Sequence, residues 1–221
     1  MAAAISVTPL VPYNRKRRPS AVKLRCYNGV EEDRKQWEKF YKRHQNKFFK
    51  DRHYLEKDWG HYFCHPKVLL ESHPNFRKDQ INVFVCNIAE ENLCDHIMPA
   101  SVDIVTLVFT LSAVSPEKMP IIIQNLGLVL KPNGHVLFRD YAIGDYAQTM
   151  LMNKNQVISE NFYFRGDGTC SYYFSEDFLS RLFERAGFVV VDVNTYNKEI
   201  INRARNITMQ RRWIRAVFRR P

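Results

Sequence analysis

The chain has 221 residues, 45% hydrophobic and 25% charged, with a formal net charge of +10; this is the composition of one globular domain with short appendages and excludes a fibrous or wholly disordered protein. Its longest apolar runs, such as 104–114, are broken by Thr and Ser and fall short of the roughly 18 to 20 apolar residues a membrane-spanning helix needs. The five cysteines form no paired CxxC spacing, which argues against a metal cluster and a disulfide-stapled secreted scaffold and points to a reducing, cytoplasmic compartment.

Residues 1–30 carry scattered prolines, six Lys/Arg and no acid. They read as a flexible basic arm, too oddly ordered for a secretory signal but compatible with a nuclear or organellar address. Residues 198–221 hold eight Lys/Arg against Glu199 alone, which leaves the middle of the chain near −3. Basic ends on a near-neutral body suit a polyanion such as RNA, and equally a solvated tail plus a targeting signal.

Residues 31–59 read as a helical segment, with Trp37, Phe40 and Tyr41 at i, i+3 and i+4 and acids in the first turn. Lys50, Arg52 and His53 stand among Phe48, Phe49 and Tyr54, a mixture suited to stacking on bases while holding phosphates, or to an amphipathic helix docked on the core. Residues 60–221 alternate short apolar runs with helical patterns, the signature of an α/β sheet. Strands are expected at 68–70, 83–86 and 102–110, the last buried on both faces, and a helix over 119–130. LKPNGHVLFRDY reads as helix end, turn and strand, 144–159 as a polar stretch, and 176–186 as a helix closed by Gly187. Strands follow at 188–193 and around Trp213 to Val217.

Several blocks are more specific than this pattern. QWEKFYKRHQNKFFKDRHYL, SVDIVTLVFTLSAVSPEKM, VLKPNGHVLFRDYAIGD, ENFYFRGDGTCSYYFSEDFLSRLF and the closing NRARNITMQRRWIRAVF resemble the methyltransferase-like proteins that methylate N3 of cytidine in the tRNA anticodon loop. The resemblance implies a class I, Rossmann-like methyltransferase sheet with S-adenosylmethionine as methyl donor and tRNA as substrate. It runs from about Gln36 to Arg220 with one gap. HPKVLLE ends at Glu71 as the first strand of such a sheet should, but no glycine lies between Gly60 and Gly127. The glycine-rich loop, whose backbone and helix N-terminus approach the cofactor, and the second strand with its ribose-binding acid are therefore missing. The cut resembles a splicing event or a gene-model omission. It implies an exposed apolar face on the remaining strands, hence a compromised fold or a protein partner covering the hole, and a weakened hold on the donor.

By the same resemblance, Trp37 and Tyr41 close over the cofactor, Glu71 ends the first strand, Asn87 stands where the family carries Asp beside the adenine, and Ile88 and Val108 wall the adenine site. Lys50, Arg52, His53, Arg165, Asp167 and Thr169 face RNA, although Cys170 replaces the family's usual Arg. Arg139, Asp140 and Tyr141 end a strand at the carboxyl edge of the sheet, where ligands bind in this architecture, and are the catalytic candidates. Cytosine N3 is a weak base with an accessible lone pair, so methyl transfer needs in-line placement and a group such as Asp140 to manage the exocyclic amine. Flipped bases need aromatic surfaces, and Phe162, Tyr163, Tyr172 and Tyr173 are available for that or for packing. Two functions follow: a tRNA (cytidine-N3) methyltransferase, or a non-catalytic RNA-binding or regulatory form of one. No metal site is expected.

Overall fold

The computed structural model describes residues 58–59, 84, 86–165, 169–203 and 206–221, together with the backbone of 4–6. The expected strand at 68–70 and all but two residues of the 31–59 segment lie outside these; Phe84 and Cys86, from the expected 83–86 strand, are in irregular backbone.

The elements in chain order are β1 (Ala4–Ser6), β2 (Val102–Val108), α1 (Met119–Val129), β3 (Leu130–Tyr141), α2 (Tyr146–Asn153), β4 (Val157–Ser159), β5 (Phe162–Phe164), β6 (Cys170–Tyr172), α3 (Glu176–Arg185), β7 (Val189–Asn202) and β8 (Ile207–Arg219). They build a mixed α/β fold. The main sheet has the order β1-β2-β3-β8-β7, and β4-β5-β6 form a small antiparallel sheet of their own. Strands β1, β2 and β3 are parallel, with Ala4 opposite Ile104 and Val108 opposite Arg139. Strand β8 turns back antiparallel to β3, and β7 pairs with β8 along thirteen matched positions.

Alternation along β2 decides the layering. Val105 and Leu107, joined by Val102 from before the register shift, share one core with Ile122, Ile123 and Leu126 of α1, Leu179 and Phe183 of α3, and Phe218 of β8. Ile104 and Val108 point the other way and pack with Leu137, Val217 and Trp59. The strand is thus buried on both faces, as its near-continuous apolar run requires.

Helix α1 matches the expected 119–130, and α3 is capped as its sequence dictates: the Ser175 side chain accepts from Phe178 N–H, and Gly187, at φ +86, closes the end. The polar stretch 144–159 holds α2, whose N-cap is Asp145. The KPNG turn lies inside β3 as a bulge: β2 pairing jumps from Leu130 to His135. Asn133 is left-handed at φ 62, and a Cβ on Gly134 would sit 2.9 Å from the Lys131 carbonyl oxygen, so glycine is required there. Strands β7 and β8 run much further than the apolar patterns at 188–193 and 213–217, because backbone pairing carries the hairpin beyond the core. Ala4–Ser6, in a stretch without sustained period, is a strand because it lies along the outer edge of β2.

Candidate functional site

Parallel β2 and β3 end side by side, and the chain turns sharply off both. Phe109 takes a left-handed backbone at φ 51 while its N–H donates to the Arg139 carbonyl at 2.8 Å. The next residues curl into a tight turn, Leu111–Ala113, that sits over the end of β3.

Adjacent residues on β3 point to opposite faces, so Arg139 and Asp140 serve separate environments. Asp140 is fully buried on the helical side. Its carboxylate accepts from Ser112 N–H at 3.0 Å and Tyr141 N–H at 2.9 Å, which pins the 111–113 turn to the strand. Burial pushes its pKa up to about 7, against the hydrogen bonds from Ser112, Tyr141 and Thr110, which favour the anion. Arg139 lies on the other face, ion-paired with Asp58, with its guanidinium 5.0 Å from the Tyr196 ring centroid. Arg215 approaches the other oxygen of Asp58 at 3.8 Å. Beside this pair, Trp59 is buried against β2, β3 and β8.

Tyr141, the third candidate, belongs to an aromatic chain. Its ring lies 5.0 Å from Phe109 and 5.7 Å from Tyr173, and Tyr163 meets Tyr173 edge-on at 5.6 Å. Burial raises the Tyr141 phenol, while the nearby Arg165 and Arg211 charges favour its anion. Gln148 of α2 donates to the Asn161 carboxamide at 3.1 Å and to the Tyr163 hydroxyl at 3.2 Å, fixing the small sheet against α2. Asp145, fully buried, accepts from Ala147 N–H, from Arg212 N–H at 2.7 Å and from Arg211 Nε at 2.8 Å. The arrangement is an aromatic rim at the carboxyl edge, flanked by Arg165 and Arg211 and held from beneath by two buried carboxylates.

Phe162, Tyr163, Tyr172 and Tyr173 are all buried and pack on one another and on α3. Arg165 is half-buried, and its N–H donates to the carbonyl of buried Thr169 at 2.7 Å; Asp167 between them lies outside the described residues. Trp37, Tyr41, Lys50, Arg52, His53 and Glu71 are also outside them. Asn87 is half-buried, its amide donating to Glu90 at 2.7 Å and its oxygen accepting from Ala89 N–H at 3.3 Å. Ile88 and Val108 are buried in the two separate cores. Sequence reasoning missed Asp58 and Asp145; the signal available was an arginine inside an otherwise apolar strand and an Asp directly before a helical run.

The site can now be set beside known proteins. A profile described as a methyltransferase domain matches residues 11–193, and the chain belongs to this methyltransferase family, on the branch of the tRNA N3-cytidine methyltransferases. It is 35% identical to the tRNA N(3)-cytidine methyltransferase METTL6 of Rattus norvegicus over 86% of this chain and 80% of that protein. Against the tRNA N(3)-methylcytidine methyltransferase trm141 of Schizosaccharomyces pombe identity is 33%, over 86% of this chain and 93% of the other. A SAM-dependent methyltransferase structure from Methanosarcina mazei superposes with a TM-score of 0.47 and 16% identity, over 62% of this chain and 66% of that one.

The rat alignment spans 232 positions, whereas 86% of 221 residues is about 190, so about 40 positions within it face no residue of this chain. The methyl donor of the family is S-adenosylmethionine. Of the residues the sequence gives to the donor, Asn87, Ile88 and Val108 are described: the Asn87 carboxamide donates to Glu90 and accepts from Ala89 N–H, while Ile88 and Val108 belong to two separate buried clusters. Among the described residues, no helix is long and apolar enough to cross a membrane.

Proposed function

We propose that this methyltransferase-family chain acts on tRNA at N3 of cytidine, and that its sheet is the class I sheet from which the segment after the first strand is absent. The observation that carries the reading is the alignment with tRNA N3-cytidine methyltransferases over 86% of this chain and 80% or more of each of theirs. In this reading residues 60–221 are the incomplete catalytic domain, 31–59 a helical segment over RNA and cofactor, and 1–30 a basic arm. Lys50, Arg52, His53, Arg165, Asp167 and Thr169 face RNA; Trp37, Tyr41, Glu71, Asn87, Ile88 and Val108 serve the donor side. Tyr141 with Phe109 offers the partly exposed aromatic surface nearest the carboxyl edge. Asp140 and Arg139 act as positioning residues, the first by holding the 111–113 turn and the second by holding Asp58. A protein partner would cover the sheet where the segment is missing.

The absent segment favours a second reading, an RNA-binding or regulatory form without catalysis. The loop amides that hold the donor contribute charge-assisted bonds of roughly 1.5 to 3 kcal/mol each, and about 40 positions are gone. Equilibrium binding of S-adenosylmethionine to the full chain, with a thermal melt and an assay for N3-methylcytidine on tRNA, separates the two. Micromolar, saturable binding with a raised melting temperature and product formation supports the enzyme. A cooperative melt with tRNA binding but no donor binding supports the RNA-binding form.

A further inference from the structure

Outside the carboxyl-edge site, the chain from Cys86 to Ile97 folds into a compact loop that brings three metal-ligating groups together. The Cys86 thiol, a Glu91 carboxylate oxygen and a His96 ring nitrogen all lie within 4.8 Å of one another. We propose that Cys86, Glu91 and His96 form a binding site for a divalent transition-metal ion of the zinc class, with the fourth position open to solvent.

The donor set is the first argument. Thiolate and imidazole are the ligands this class of ion selects, a carboxylate is a common third, and three protein ligands leave one tetrahedral position for water. Ligands at ordinary zinc bond lengths stand roughly 3.3 to 3.8 Å apart in a tetrahedron. Glu91 Oε2 and His96 Nε2 are already 3.7 Å apart, and the Cys86 sulfur lies within 4.8 Å of both, so closing the site needs only a small movement of the sulfur toward them.

The second argument is that the ligands are held. Glu91 uses its other oxygen, Oε1, to accept from Asn87 N–H at 2.7 Å, which aims Oε2 at the imidazole. The His96 ring stacks on Phe84 at 4.7 Å with planes 12° apart, which sets its rotation. Asn125 of α1 donates to the carbonyls of Ile88 at 2.8 Å and Glu91 at 3.1 Å, and Lys118 pairs with Glu90, so the loop is tied to the helix beneath it. Such outer-shell support is what distinguishes a built metal site from a chance meeting of side chains. The thiol is buried while Glu91 and His96 are exposed, so the group is reached from the solvent side.

The electrostatics agree. Burial first, and then the Glu91 and Asp95 charges, push the Cys86 thiol up to about 11, so binding a metal through this sulfur displaces a proton. A dication there relieves that repulsion and takes the thiol proton's place on sulfur. The spacing Cys86-x4-Glu91-x4-His96 matches no paired-cysteine pattern, which is why the sequence gives no sign of it. The site adjoins Asn87, so an ion bound there would fix that residue as well.

Titration of the full-length chain with Co²⁺, followed by competition with Zn²⁺, tests this. The expected result is one equivalent of Co²⁺ with a sulfur-to-metal charge-transfer band and tetrahedral d–d bands, all displaced by Zn²⁺. Cys86→Ser should abolish the charge-transfer band and Cys94→Ser leave it intact. The exposed variants Glu91→Gln, which keeps an acceptor for Asn87 N–H, and His96→Gln should each weaken binding by about 100-fold or more. No sulfur-to-cobalt band at saturating Co²⁺, or wild-type affinity in both exposed variants, overturns the proposal. Because those two variants leave the core untouched, they decide the matter even if Cys86→Ser does not fold.

Discussion

The two flanks of the β2–β3 pair are built differently. On one flank β8 pairs with β3 from His135 to Tyr141 and then with β7 along thirteen positions, and almost every charge that enters this region is answered: Arg139 by Asp58, Arg211 by Asp145, Arg215 by Asn194, Arg219 by Asn133. On the other flank the neighbour of β2 is Ala4–Ser6, three residues from the start of the chain. The first flank is a self-consistent wall; the second is a short edge, and in the reading proposed above it is where the absent segment would continue the sheet. The basic carboxyl terminus, which the sequence fits equally to a polyanion footprint and to a solvated tail, places Arg211, Arg215 and Arg219 in this wall.

If that contrast is right, the heaviest losses come from the wall's buried charges. Arg139→Ala leaves the largely buried Asp58 with only Arg215, 3.8 Å away, and the expected cost is about 3 kcal/mol in chemical denaturation. A double variant with Asp58→Ala should recover part of it, since the penalty belongs to the orphaned charge rather than to the pair. A cost below about 1 kcal/mol for Arg139→Ala alone would mean that Asp58 is effectively solvated and that the wall owes nothing to this pair.

Asp140 sharpens the contrast through pH. Its folded-state pKa, about 7, lies above its ordinary value of 3.8, so between these values the folded chain holds a proton that the unfolded chain has released. Stability from this group is therefore present at low pH and is lost as pH rises from about 4 to about 7, levelling off above that, with an amplitude of a few kcal/mol. Asp140→Asn keeps an acceptor for Ser112 N–H and should flatten this part of the profile in urea titrations across the window. An unchanged profile in the variant would assign the titration to another group.

Asp145→Asn is expected to cost about 1 to 3 kcal/mol, because the cap of α2 survives while the charge facing Arg211 is lost. Loosening should be local. Amide exchange is expected to accelerate in α2 and the β4–β5–β6 sheet while α1 stays protected, and uniform acceleration would show that the small sheet is not a separate unit.

How much of this was legible in the sequence follows from what each signal measures. Apolar periodicity reports burial, so α1, α3 and the core of β2 were readable. It says nothing once a strand leaves the core, and β7 and β8 outran their apolar segments because backbone pairing alone extends them. The LKPNGHVLFRDY segment was read as turn then strand; only the registration with β2 shows a bulge that Gly134 permits. At the site, the strand-end location of Arg139, Asp140 and Tyr141 was readable, but their division between two faces became chemistry only with Asp58 and Ser112 in place. Those partners lie 81 and 28 residues away in sequence, beyond the reach of any local pattern.

The smallest effect should come from the other flank. Deleting residues 1–10 removes β1, whose three ordered residues cost roughly 1 to 2 kcal/mol each in backbone entropy, about what a ladder of hydrogen bonds at 0.5 to 1.5 kcal/mol apiece returns. The expected change in global stability is below about 1 kcal/mol. What should change is the fate of the edge: Ile104, Val105 and Thr106 lose their β1 partners, β2 becomes the edge strand, and an exposed apolar edge is a template for another chain. The truncated protein is therefore expected to melt almost normally at low concentration but to self-associate at high concentration in light scattering and to lose amide protection at 104–106. A loss of several kcal/mol would instead show that the short strand supports the sheet as firmly as the hairpin does, and the contrast between the flanks would fail. Normal stability with no self-association would mean that another segment of the chain takes over the edge, and among the described residues β2 would then have a second pairing partner to find.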